Sequence, residues 1–203
     1  MKYDDNEKYK ITFFDYDIAL IKIGTPFNSK FGVCPICLPT PKILSTLAKS
    51  NEDITIFGIG ERKKNDNSYK LRYAKMKQIN GRQCYKKWFP RKTLPKDFSS
   101  IEDRGFCVRG QNKETICNGD SGSPAIWKYK NKEYLIGILS AAQVDCEKQW
   151  MISRKKLPKK SVKPSKVVAI RAIIKWIKKE GGKEVKSWIK NCRHHSEAPD
   201  YFD

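Results

Sequence analysis

The sequence predicts an all-β fold, a barrel or sandwich, closed off by one C-terminal amphipathic α-helix. Three patterns predict it. Short apolar runs bounded by turn residues recur through the middle of the chain, as in Ile54-Thr55-Ile56-Phe57 ahead of Gly58 and Gly60; such lengths and punctuation belong to strands. Pro124-Ala125-Ile126-Trp127 and Tyr134 to Leu139 sit about ten residues apart, a hairpin spacing. Toward the end the period changes: Val167, Ile170, Ile173, Ile174 and Ile177 recur at helical spacing, with Arg171, Lys175, Lys178 and Lys179 on the other face.

In chain order, residues 11–23 are nearly continuous apolar sequence broken by Asp15, Asp17 and Lys22, which reads as one or two buried strands. The Pro35–Pro41 stretch reads as an irregular connection, and residues 61–70 as a polar loop. Leu71 to Ile79 alternates, with Leu71, Tyr73, Lys75, Lys77 and Ile79 on one side, predicting a strand whose inward face is mixed. Residues 82–113 read as basic and irregular. Gly181-Gly182 stops the terminal helix, and Val185, Trp188 and Ile189 add an amphipathic turn or two.

The chain has 203 residues, 39% of them hydrophobic, enough to fold around a core. Its formal net charge of +20 spreads a positive potential that favours acidic partners, or simply keeps a basic surface soluble. No stretch approaches the length of a membrane-spanning helix. Seven cysteines without repeated metal-type pairs point to disulfides in an oxidising compartment, and the odd number implies that at least one cysteine pairs outside this chain or stays free. The charged start, Met1 to Glu7, is not an export signal. Disulfide chemistry without such a signal suggests that an upstream segment is missing.

Chemistry concentrates in Cys117-Asn118-Gly119-Asp120-Ser121-Gly122-Ser123-Pro124. A hydroxyl between two glycines can sit exposed on a sharp turn. The N–H groups of Gly119 and Ser121 can then converge on a developing oxyanion. Taken as Gly-x-Ser-Gly alone, the motif is equally an ordinary glycine-rich loop.

The longer string resembles the nucleophile loop of the chymotrypsin/trypsin-like serine protease family, with Ser123 where the family usually has glycine. Further segments resemble the family in the right order. Asp17-Ile18-Ala19-Leu20-Ile21-Lys22-Ile23 is similar to the strand headed by the catalytic aspartate, which implies that role for Asp17. Cys37-Leu38-Pro39 is similar to the connection between the two barrels. Phe57-Gly58-Ile59-Gly60 resembles the family's Gly-Trp-Gly segment, with Ile59 for tryptophan; Tyr134 to Ser140 resembles the cleft strand and Val167 to Ile177 the terminal helix. The resemblance implies a chymotrypsin-like double β-barrel with an incomplete first barrel: residues 1–45 its remnant and the connection, 46–165 the second barrel, 166–203 the helix and tail. It also implies a secreted, monomeric serine endopeptidase acting on protein or peptide substrates, with no metal and no cofactor.

By the same resemblance Cys117 pairs with Cys146, and Cys84 with Cys107. Cys37 ordinarily bridges upstream; Cys34 and Cys192 have no standard role, and Cys192 is expected to bond Cys34 or Cys37. The competing reading of Cys34-x-x-Cys37 is a zinc site with Cys192, His194 or His195. The family's histidine segment, Ala-Ala-His-Cys, does not occur before Asp17, and the two histidines lie in the tail. Without a base the serine is a weak nucleophile, so this chain alone is expected to be inactive, and it reads as a truncated member rather than an evolved pseudo-protease. The amine that pairs with the family's equivalent of Asp120 also has no source, so Asp120 is expected to stay unpaired or to find another cation.

The specificity pocket is expected from Thr115, Ser140 and Ala142. Thr115 stands where trypsin-like members have aspartate, and Ala142 adds a methyl group to the wall, which together favour modest apolar side chains. After Cys146 the likeness fades, and the Pro-Gly-Val-Tyr strand of relatives is expected to be absent. From Arg154 to Lys190 fourteen Lys and Arg face two Glu, a basic face suited to sulfated glycans or simply to solvent. Sparse aromatic interleaving makes nucleic acid a poor partner.

Overall fold

The computed structural model describes residues 17–25, 35–47, 53–61, 70–111, 114–142, 163–183 and 185–186. Six strands are β1 (Ile54–Gly58), β2 (Arg72–Ile79), β3 (Gly105–Gly110), β4 (Pro124–Tyr129), β5 (Lys132–Ala141) and β6 (Ser165–Ala169). They close into one barrel in the order β1-β2-β3-β6-β5-β4, every neighbouring pair antiparallel. Helices α1 (Pro41–Leu47), α2 (Gly81–Trp88), α3 (Phe98–Arg104) and α4 (Ile170–Glu180) lie around it. This is the all-β, chymotrypsin-like fold with its C-terminal helix.

Alternation fills the barrel. Ile54, Ile56, Met76, Val108, Trp127, Ile136, Leu139 and Val167 are all buried in one apolar cluster. Since successive strand residues face opposite ways, their neighbours point outward. The β4–β5 hairpin turns through Lys130 (φ 48°) and Asn131 (φ 58°), the left-handed pair that matches strand twist in a two-residue loop.

The structure corrects several expectations. In β2 the inward residues are Ala74 and Met76, while Leu71 and Tyr73 are each 63% exposed. Register decides this: Ile54 lies opposite Met76 and Ile56 opposite Ala74, so the buried isoleucines of β1 pull the small and flexible side chains inward. Tyr73 instead meets Phe57 on the outer face, ring centroids 6.1 Å apart.

Residues 17–23 form no strand, and Ile21 is 86% exposed. The closed barrel offers them no free edge, and a strand needs a neighbour to satisfy its backbone. Residues 11–16 of that run lie outside the described residues.

The described part of 82–113, residues 82–111, is not irregular as expected; it carries most of α2 and all of α3 and β3. Asn80 caps α2 by accepting from the Gln83 N–H at 3.2 Å. A second core of Cys84, Tyr85, Phe98, Ile101 and Cys107 holds the helices to the barrel.

Val167 belongs to β6, not to the terminal helix, which starts at Ile170. A strand therefore does follow Pro164, where the family strand was expected to be lost. Strand β6 sits between β3 and β5, with Val167 and Val168 on opposite faces and both buried. Apolar residues on both faces obscure the period of two. Along α4, Ile170, Ile173 and Ile177 pack on Leu38, with Ile18 at the margin of the same cluster.

Two predictions follow from this packing. Trp127→Ala empties the barrel centre and is expected to cost about 3–5 kcal/mol, read from the shift of a urea unfolding midpoint. Asp53 heads β1 and accepts from Lys77 Nζ at 2.9 Å and Gln111 Nε2 at 2.6 Å. The Lys77 hydrogen bond first, then that of Gln111, holds its carboxyl below the usual value. A depressed carboxylate stabilises the fold above its unfolded value of 3.8 and loses that contribution as pH falls through the folded one. Asp53→Asn is therefore expected to flatten the acid limb of a Tm-against-pH curve slightly, because the pair is partly solvated.

Candidate active site

The loop from Cys117 to Ser123 leaves the core at buried Ile116 and enters β4 at Pro124. Ser121 is exposed at its tip, between Gly119 (φ +89°) and Gly122 (φ +85°). Side chains rarely tolerate that backbone region, so the two glycines allow the chain to fold sharply around the serine. Three backbone bonds set the turn: Asp120 N–H to Cys117 O at 3.2 Å, Ser123 N–H to Asp120 O at 3.1 Å, and Gly122 N–H to Leu139 O at 2.8 Å. Among the described residues, the N–H groups of Gly119 and Ser121 take no part in backbone pairing.

Asp120 is the keystone of the loop. One carboxylate oxygen accepts from the Gly60 N–H at 2.7 Å and the other from the Cys117 N–H at 2.9 Å. The Glu61 N–H adds a bond to Asn118 O at 2.9 Å. Asp120 was expected to stay unpaired or to find another cation; in the structure two backbone amides engage its carboxylate. The Gly58-Ile59-Gly60 segment makes this possible. A Cβ on Gly60 would stand 2.5 Å from the Asp120 carboxyl carbon and 2.7 Å from Asn118 O, so only a bare backbone can approach. Arg72 steadies the far side of this segment, its Nη1 donating to Gly60 O at 3.3 Å. Sequence reasoning noted Gly58 and Gly60 as a family signature but missed their packing role, and it missed Arg72 altogether. The glycine spacing was the available signal for the first; nothing marked the second.

Asp17 is exposed, and its Oδ2 accepts from Ser140 Oγ at 2.9 Å. Leu139, the residue before Ser140, exchanges bonds with Gly122 and Ser123. Residues distant in sequence, Asp17 and the Ser121 loop, are therefore bonded to successive residues near the end of β5. Asp17 heads an irregular segment rather than a buried strand, with Ile18 holding that segment to the α4 cluster.

Thr115 lines a cavity of about 410 Å³ together with Gly58, Gly60, Arg72 and Asp120. Ser140 and Ala142 do not line it. Thr115 thus opens toward the space behind Asp120. Cys84 and Cys107 are bonded to each other across α2 and β3, Cα atoms 6.2 Å apart. Cys37 and Cys117 are disulfide-bonded as well. Cys34, Cys146, Cys192, His194 and His195 lie outside the described residues, and with them the expected Cys117–Cys146 bridge and the zinc reading. Among the described residues no group of three or more His, Cys, Asp and Glu is placed to hold a metal ion, and no helix is long and apolar enough to cross a membrane.

A closed antiparallel barrel that presents a serine between positive-φ glycines, over a clamped aspartate, defines the chymotrypsin-like class. The family profile described as Trypsin matches residues 2–153, and the chain belongs to this serine protease family. It is similar to the CLIP domain-containing serine protease C9 of Anopheles gambiae, 31% identical over 144 residues, which is 66% of this chain. The chain spans 40% of that relative's length.

The Asp120 clamp generates a paired prediction. Gly60→Ala should cost about 1–3 kcal/mol by overpacking against Asp120 and Asn118 and should alter the near-ultraviolet dichroism. Gly24→Ala, where a Cβ meets nothing within 4 Å, should leave both unchanged.

Proposed function

We propose that this chain supplies the nucleophile and the orienting carboxylate of a secreted serine endopeptidase. Ser121 attacks the peptide carbonyl as its proton passes to a histidine, the N–H groups of Gly119 and Ser121 receive the oxyanion, the C–N bond breaks with the amine leaving protonated, and water then hydrolyses the acyl-enzyme. Asp17, anchored through Ser140, orients a histidine and stabilises its cationic form. The observation that carries this reading is the exposed Ser121 between its two positive-φ glycines, in a loop clamped through Asp120. Thr115, where trypsin-like members carry aspartate, favours selection of apolar side chains over strict Arg or Lys selection. The disulfides suit an extracellular setting.

The base is the open element. Both histidines follow α4 in sequence, and no histidine precedes Asp17. The 203-residue chain by itself is therefore read as inactive. The net charge of +20 favours a second reading, a non-catalytic homologue that binds proteins or anionic glycans.

A fluorophosphonate probe separates the two. A natural secreted protein with a histidine segment ahead of Asp17 is expected to be labelled at Ser121, with labelling lost in Ser121→Ala. The 203-residue chain is expected to remain unlabelled. Absence of labelling in the natural protein would leave the binding homologue as the function.

A further inference from the structure

We infer that the C-terminal end of α2, together with the start of β6, forms a docking surface for a sulfated polysaccharide, independent of whether Ser121 is active.

The placement follows from covalent and sheet geometry. Cys84 of α2 is bonded to Cys107 of β3, and Cys107 lies opposite Lys166 in the β3–β6 register. Trp88, one helical turn beyond Cys84, shares its face and so falls beside Lys166. Its indole N–H donates to Pro164 O at 3.0 Å, which fixes the ring against the entry to β6. Two ammonium groups then stand on that one ring: Lys166 Nζ at 4.6 Å and Lys163 Nζ at 5.0 Å from its centroid. Next to it, Lys92 Nζ stands 5.1 Å from the centroid of Phe89. Lys86 and Lys87 complete the last turn of α2, and Arg91 is exposed just beyond it.

Residues 82–96 contain six Lys and Arg and no Asp or Glu. The α2 carbonyl end favours cations beside it. Lysine stems resting on aromatic rings lose part of their rotamer freedom before any ligand arrives, so ordering them on binding costs less. The face is therefore preset for a polyanion, in contrast to lysines scattered along an exposed helix.

The rings choose among polyanions. Bases stack on open aromatic faces, whereas Trp88 and Phe89 carry lysines over theirs. A membrane surface calls for exposed apolar side chains to insert, and among the described residues the large exposed ones, Leu20, Ile21, Ile23, Ile59, Leu71 and Tyr73, lie on other segments. A chain of sulfate groups needs only fixed point charges, and those are present.

Binding of a heparin oligosaccharide of defined length, followed by titration calorimetry at fixed ionic strength, tests this. Lys163→Ala with Lys166→Ala is expected to weaken binding at least about tenfold. Arg91→Ala with Lys92→Ala, both exposed and outside the core, should weaken it similarly while leaving the unfolding midpoint unchanged. Lys175→Ala with Lys179→Ala on α4 removes the same charge and should change affinity less than about twofold. Equal losses at the α2 corner and on α4 would reduce the effect to net charge and overturn the site. Tighter binding of single-stranded DNA or of phosphatidylserine vesicles than of heparin would overturn the choice of ligand.

Discussion

Asp120 is a side chain used as a piece of backbone scaffolding. Its two oxygens join the Gly58–Gly60 turn, at the end of β1, to the loop that carries Ser121. A carboxylate accepting main-chain N–H bonds satisfies donors that would otherwise be left buried without partners. The clamp works only because residues 58 and 60 lack side chains. The exposed position of Ser121, the positive φ angles around it and the cavity behind it all depend on these two turns being held together.

Strand β5 is the second organising element. The core-facing Ile136 and Leu139 hold it in the barrel, and its last residues reach in two directions. Leu139 pairs with the serine loop, and Ser140 receives Asp17. At its other end, the Leu135 N–H bonds Cys37 O at 2.9 Å, so the connection from the first part of the chain is tied to the same strand. One strand thus fixes the relative positions of segments more than a hundred residues apart. Rigid elements position side chains better than loops do, which suits a site assembled from loops at a strand end.

The corner built by α2, β3 and β6 has a different logic. Its order comes from a disulfide and from aromatic rings rather than from barrel closure. There the packing of Trp88 and Phe89 controls where positive charge is presented. A charge excess distributed along the sequence becomes a local feature only once the chain brings Lys163 and Lys166 over the indole of α2.

Local chemistry was enough to read much of the chain. The strand runs at Ile54, Pro124 and Tyr134 and the amphipathic period of α4 are local patterns, and each became the element expected, the helix from Ile170 onward. The glycines around Ser121 likewise announced a turn that only such residues adopt readily. What escaped depends on which surfaces meet. The inward face of β2 was settled by its register with Ile54 and Ile56, which alternation alone leaves undetermined. β6 was hidden because a strand buried on both faces has no period of two. Residues 17–23 failed to form a strand because the closed barrel had no edge to lend them, and Asp120 found amides because folding placed a bare backbone beside it. Sequence determines what a segment can do with itself. Partners are decided by the three-dimensional closure of the chain, because hydrogen-bonding edges and buried faces exist only once the other segments are in place.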